Sequence, residues 1–198
     1  MTPYTYISSV DYIDSLVFDY VETYSSQRGA AYEENRIRLQ PEYDELREKK
    51  EANQLTAGEK IKFSELYELF GVTQYLINGK GQFHPSAQKT HTFKSNDPIV
   101  ERIKNILTTE IHEIPGWLCE PVYRDALVFY DTDNNIVSVL NICLSCQYME
   151  TSKFNYVNGD YKTYDLFKRF FIDIGHDVED PTYFVSDDID KMKLKYKK

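Results

Sequence analysis

Long apolar runs are missing from this chain. Across its 198 residues no stretch approaches the roughly 20 consecutive apolar residues of a membrane-spanning helix, so no membrane partner is expected. The opening residues, "MTPYTYISSVDYIDSLVFDY", lack the basic start, apolar stretch and small-residue cleavage site of a secretory leader, and a cytoplasmic address is expected. Cysteine is scarce: there are three, an odd number from which no complete disulfide framework can be drawn. In a reducing compartment free thiols are the default. Basic residues are missing where acidic ones gather. Residues 1–27 carry Asp11, Asp14, Asp19 and Glu22 without a Lys or Arg, and residues 173–190 carry seven acids, again without one. With a net charge of −9 the chain has too few cations to displace counterions from phosphates, so a nucleic-acid partner is not expected.

Catalytic signatures are missing too. There is no G-x-S-x-G, and the H-E-x-x-H pattern begun by His112 and Glu113 fails at Gly116. Residues 78–97 carry two glycines without the P-loop spacing and read as a polar loop holding His84 and His91.

What is present is an ordinary folded composition, 41% hydrophobic and 28% charged, with 17 tyrosines among its aromatic residues. Tyrosine offers apolar area with a polar tip, which suits both small aromatic cores and protein-binding surfaces. The length suggests a single domain over residues 1–198, with a mainly helical part (1–77) and an α/β part (98–190).

Val10, Ile13, Val17, Tyr20 and Tyr24 recur at helical spacing, predicting a first helix capped by Ser8 or Ser9 and ended near Gly29. A polar stretch follows, and Pro41 is placed as a first-turn residue of an exposed helix, "EYDELREKKEANQ". Thr56 and Glu59 have the spacing of a capping box, ahead of an apolar face of Phe63, Leu66, Tyr67 and Phe70, with Gly71 at the C′ position. Asp97 and Pro98 open another helix, striped by Ile99, Ile103 and Ile106.

"VYRDALVFY" and "IVSVLNIC" are β-branched and aromatic, and "DTDNN" between them is a turn cluster, so a β-hairpin is expected over residues 122–143. At its start Arg124 reads as a structural ion-pair anchor, with an anionic ligand as the alternative. "QYMETSKFNYVNGD" reads as loop. A helix then runs from Asp160 as N-cap to Ile174, ended by Gly175, and "TYFVS" suggests a short strand. The lysine-rich tail, residues 191–198, is expected to be loosely ordered. The fold class is therefore α+β: N-terminal helices followed by a small antiparallel sheet packed by a C-terminal helix.

Closing the hairpin on Tyr130 and Ile136 brings Cys119 to the same end as Cys143 and Cys146, the two cysteines of "NICLSCQ". Three readings compete there. The first is structural zinc, with His176 or His112 as fourth ligand. The second is a redox pair, which prefers a helix N-terminus rather than a strand end. The third, taken as the expectation, is buried cysteines acting as small apolar residues.

The stretch "CEPVYRDALVFYDTDNNIVSVLNICLSCQ" resembles a cysteine-bearing hairpin found in small bacterial proteins without an assigned activity, over roughly residues 115–175. The resemblance implies that the hairpin and its cysteines are a structural signature.

Acidic balance, abundant tyrosine and missing catalytic motifs together point to a non-enzymatic cytoplasmic binding protein. It would be of the immunity or inhibitor type, masking a toxin or enzyme with a basic surface and needing no cofactor. Its expected contact surface is the outer face of the first helix, carrying Asp11, Asp14, Asp19 and Glu22. The alternative is a thiol- or zinc-dependent enzyme or sensor using Cys119, Cys143 and Cys146, with His176 completing a zinc site.

Overall fold

The computed structural model describes residues 6–116, 119–152 and 155–189. In chain order these form β1 (Tyr6–Ser8), α1 (Ser9–Asp14), β2 (Tyr20–Ser25), α2 (Ala30–Glu51), α3 (Ala57–Phe70), β3 (Gln88–Lys94), α4 (Pro98–Leu107), β4 (Asp125–Tyr130), β5 (Ile136–Cys143), β6 (Tyr148–Thr151), β7 (Tyr156–Asn158) and α5 (Tyr161–Asp173). The expected order of residues 191–198 lies outside the described residues.

The hairpin with the strongest local signals forms as expected. Asp131 organises its turn, its carboxylate accepting from the backbone N–H of Asp133 and Asn135 at 2.9 and 2.8 Å. Tyr130 faces Ile136, but a bulge then shifts the register by one, so that Phe129 faces Ser138. Around this hairpin grows a seven-stranded sheet of order β1-β7-β6-β5-β4-β2-β3, in which β1 joins β7 in parallel. The fold is α+β. The expected small, wholly antiparallel sheet is corrected: the sheet is larger and mixed, and helices are distributed along the chain rather than gathered at its start.

Five segments depart from expectation. Residues 20–25 are a strand, because Tyr20, Glu22 and Tyr24 alternate with Val21 and Thr23, and both edges of β2 find partners, β3 and β4. The first helix stops at Asp14. The polar loop 78–97 contributes β3, and "QYMETSKFNYVNGD" contributes β6 and β7. Pro41 lies inside α2, eleven residues past its start, where it forgoes one helical hydrogen bond on an exposed turn. Residues 185–189 are helical where a strand was expected.

Local capping chemistry behaves as written. Ser8, Thr56, Asp97 and Asp160 cap α1, α3, α4 and α5, and the Thr56–Glu59 box is reciprocal. Gly71 has φ −100°, so no left-handed turn requires it; a Cβ there would overlap the Tyr67 ring. Gly175, at φ +83°, does need glycine's freedom to turn the chain out of α5.

One sheet face buries Val21, Leu127, Phe129, Leu140, Ile142 and Met149 under α1, α4 and α5. The other presents Tyr24, Ala126, Val128, Tyr130 and Val139, covered by Leu76 and Ile77 of the connection after α3. The α2–α3 hairpin closes a separate small core of Tyr43, Leu46, Phe63 and Leu66.

Candidate functional site

The four acids expected on one helix face are not on one helix. Asp11 is tied to the N-cap of α1, where Ser8 Oγ donates to its carboxylate at 2.6 Å. Asp14 is exposed at the end of α1. Asp19 is exposed in the connection to β2, its N–H donating to the Tyr130 carbonyl at 2.8 Å. Glu22 is buried within β2, where it accepts from Tyr24 Oη (2.7 Å), Lys89 Nζ (2.9 Å) and Thr92 Oγ1 (3.2 Å). Burial alone would push its carboxyl up, but these donors outweigh it and hold the group below the ordinary glutamate value. Glu22 is therefore part of the scaffold, and the common helical face is corrected by the strand that replaces it.

The sheet instead assembles a different acidic surface. The contact between Asp19 and Tyr130 sets Asp19 beside the β4–β5 turn, which carries Asp131 and Asp133. Tyr20 stacks on Tyr130 with ring centroids 4.7 Å apart and planes at 6°, and its hydroxyl donates to Asn134 Oδ1 at 2.9 Å. Ile136, the pairing partner of Tyr130, is 43% exposed. Lys94 pairs with Tyr20 and is a basic member of the rim. A signal for this surface exists in the sequence, since "YVETY" is built of aromatic and β-branched residues around one glutamate and "DTDNN" reads as a turn. The strand pairing joins them.

A second polar arrangement is deeply buried. His176 Nδ1 donates to Asp125 Oδ1 at 2.7 Å, and its Nε2 lies 2.8 Å from Thr90 Oγ1. Arg28 clamps Asp125 with two bonds of 3.0 Å. The order hydroxyl–imidazole–carboxylate is that of a hydrolytic triad. Here, however, the Thr90 hydroxyl also engages the Thr23 hydroxyl (2.6 Å) and carbonyl (3.0 Å), and the imidazole is fully buried. A cleft of about 240 Å³ beside it is lined by Arg28, Arg124, Asp125, Tyr164 and Lys168, but by neither His176 nor Thr90. The chain of bonds fastens the segment after α5 to the sheet. Arg124 pairs with Glu179 at 3.1 Å, in keeping with its reading as an ion-pair anchor.

The cysteines meet, as the hairpin geometry implied, but the expected trio of buried free thiols is corrected: Cys119, which is exposed, and Cys146 form a disulfide with Cα atoms 6.3 Å apart, and Cys143 alone keeps a free, buried thiol. Cys143 and Cys146 pack with Tyr123 in one small cluster, bordered by Tyr75 and Tyr148. Nearby, Glu150 accepts from Tyr123 Oη at 2.7 Å and from Tyr75 Oη at 3.1 Å, and among the described residues its Oε1 has no hydrogen-bond partner. Burial pushes its carboxyl up, opposed by these two hydroxyls. His176, the fourth member of the zinc alternative, has both ring nitrogens engaged at Asp125 and Thr90. Among the described residues no group of three or more His, Cys, Asp or Glu is placed to hold a metal ion. No described helix is long and apolar enough to cross a membrane.

Comparison with protein-family models, curated proteins and solved structures finds no match.

Proposed function

We propose that the chain is a non-enzymatic, cytoplasmic binding protein of the inhibitor or immunity type, whose contact surface is the acidic end of the sheet. The observation that carries this reading is the partly exposed Tyr20 ring, stacked on the buried Tyr130 and edged by Asp19, Asp131 and Asp133. Rigid, amphipathic aromatic side chains supply contact area at low entropic cost, and carboxylates around them steer a basic partner into place. The stack is pre-organised by the Tyr20–Asn134 bond, so little ordering remains to be done on binding. The partner is a protein with a basic surface, such as a toxin or an enzyme; the net charge of −9 supports this over a nucleic acid.

Affinity purification on the tagged chain, with and without Asp19→Lys and Asp133→Lys, tests the reading. The expected result is a basic partner that is released by salt and lost in the double variant while the melting temperature stays unchanged. A partner equally retained by the variant removes this surface, and turnover of a substrate by the pure chain removes the non-enzymatic reading.

A further inference from the structure

We propose that Cys143 is the attacking thiol of an internal disulfide exchange in which Cys146 is the shared sulfur. The chain alternates between a Cys119–Cys146 link and a Cys143–Cys146 link. This chemistry is independent of partner binding at the sheet end.

Three placements carry it. Cys143 is the last residue of β5, Tyr148 is the first of β6, and the two are paired, so the C-x-x-C spans the reversal between adjacent strands. Gln147, at φ +54°, completes that reversal. Residues three apart across a tight turn approach within about 7 Å, the separation a disulfide bridges. Cys143 and Cys146 moreover belong to the same small buried cluster, around Tyr123, so the free thiol and the bonded sulfur share one pocket of the interior. The third placement is an asymmetry of exposure. Cys143 and Cys146 are buried at 1% and 8%, whereas Cys119 is exposed.

The step balances without an oxidant. Cys143 gives up its proton past Ser145, whose exposed hydroxyl lies 3.5 Å from Cys143 Sγ. The Cys143 sulfur attacks Cys146 Sγ, the Cys143–Cys146 bond forms, and the Cys119–Cys146 bond breaks. Its electron pair leaves on Cys119 Sγ, which takes a proton from solvent. One disulfide and one thiol are present before and after. What changes is the location of the thiol, which moves from the interior to the surface. There it meets small disulfides or electrophiles that cannot reach Cys143. Disulfides in reducing compartments are characteristically transient and redox-sensing, and a link that can be handed between two partners suits that role.

The test uses the full chain, oxidised with oxidised glutathione, desalted, and incubated with N-ethylmaleimide without reductant. Acid quenching and non-reducing peptide mapping then locate label and link. The expected product carries label on Cys119 and a Cys143–Cys146 disulfide in the same chain. A Cys143→Ser chain is expected to label Cys119 at least about tenfold more slowly, because it has no internal attacker. Label on Cys143 with Cys119–Cys146 intact overturns the exchange. So does a chain that stays unlabelled, a chain that forms no Cys119–Cys146 link on oxidation, or equal labelling of Cys119 in the serine variant. If the serine variant misfolds, the wild-type map alone decides.

Discussion

The helix-backed sheet and the α2–α3 arm draw on the same residue types and are held by different balances of force. Among the described residues, eighteen buried apolar side chains form the larger core of the body, against four in the arm. The arm adds surface ion pairs, Lys49 with Glu45 and Glu59 at 2.7 and 2.8 Å, and Lys62 with Glu42 and Glu65 at 3.9 Å. Exposed pairs of this kind contribute roughly 0–1 kcal/mol each, whereas each fully buried Leu or Phe contributes about 1.5–3 kcal/mol. The body is therefore expected to be the cooperative unit of the fold, and the arm an attachment whose stability is local.

Truncating one aromatic residue in each region tests that division most strongly. Phe129 is fully buried beneath Tyr12 and Phe18, with centroids at 6.3 and 4.9 Å. Phe129→Ala is expected to cost about 3–5 kcal/mol in chemical denaturation. Phe63, stacked on Tyr43 at 5.8 Å and 8% exposed, sits in a core with fewer neighbours. Phe63→Ala is expected to remove about 2 kcal/mol of hydrogen-exchange protection from residues 30–70, with the main transition unmoved. A single shared transition falling equally in both variants would break the comparison.

A smaller effect is expected at the cap. Thr56→Ala removes the hydroxyl that accepts from Glu59 N–H and donates to its carboxylate, and the arm should lose about 1 kcal/mol of local stability by the same exchange measurement. Undiminished protection would mean that the inter-helix aromatic contacts alone hold α3.

The smallest effect is a difference in sign with pH. Glu59 is held down to about 2, first by Lys49 and then by the Thr56 backbone and hydroxyl. Its stabilisation is in place above the ordinary glutamate value of 4.5 and is lost as pH falls toward about 2. Glu150 runs the other way: burial raises it, so it binds a proton more tightly folded than unfolded. Body stability on its account falls as pH rises from 4.5 through the raised value. Acid should thus loosen the arm while relieving the body. Glu59→Gln should flatten the first dependence and Glu150→Gln the second, in exchange rates followed across the titration. Parallel slopes in the two variants would remove the distinction.

The legible parts of the fold were those whose signals are local. Thr56 with Glu59, Asp97 with Pro98, Asp160, and the "DTDNN" turn each satisfy backbone groups within a few residues, so the spacing alone identifies them. Tyr20 and Tyr24 fit both a helical stripe and a strand face, which is why the spacing predicts a longer first helix than the chain forms. Only the partners on either side of β2 choose between the two. β3, β6 and β7 were hidden for a related reason: short polar strands are stabilised by neighbouring strands more than by their own propensity. With β2 went the candidate surface, since Glu22 turned inward while Asp19 met Asp131 and Asp133.

By itself the sequence determined the charge balance, the caps, the central hairpin and the arrival of three cysteines at one end of it. All of these depend on composition or on contacts a few residues apart, apart from Cys119, which the hairpin's pairing carries across. Tertiary structure decided the rest. It set which strands flank the hairpin, which acids face solvent, that His176 binds Asp125 and Thr90, and that Cys146 pairs with Cys119 while Cys143 stays free. Those outcomes rest on pairings between residues tens of positions apart. Their partners are selected by burial and hydrogen-bond completion across the whole sheet, and no local window of the chain contains that information.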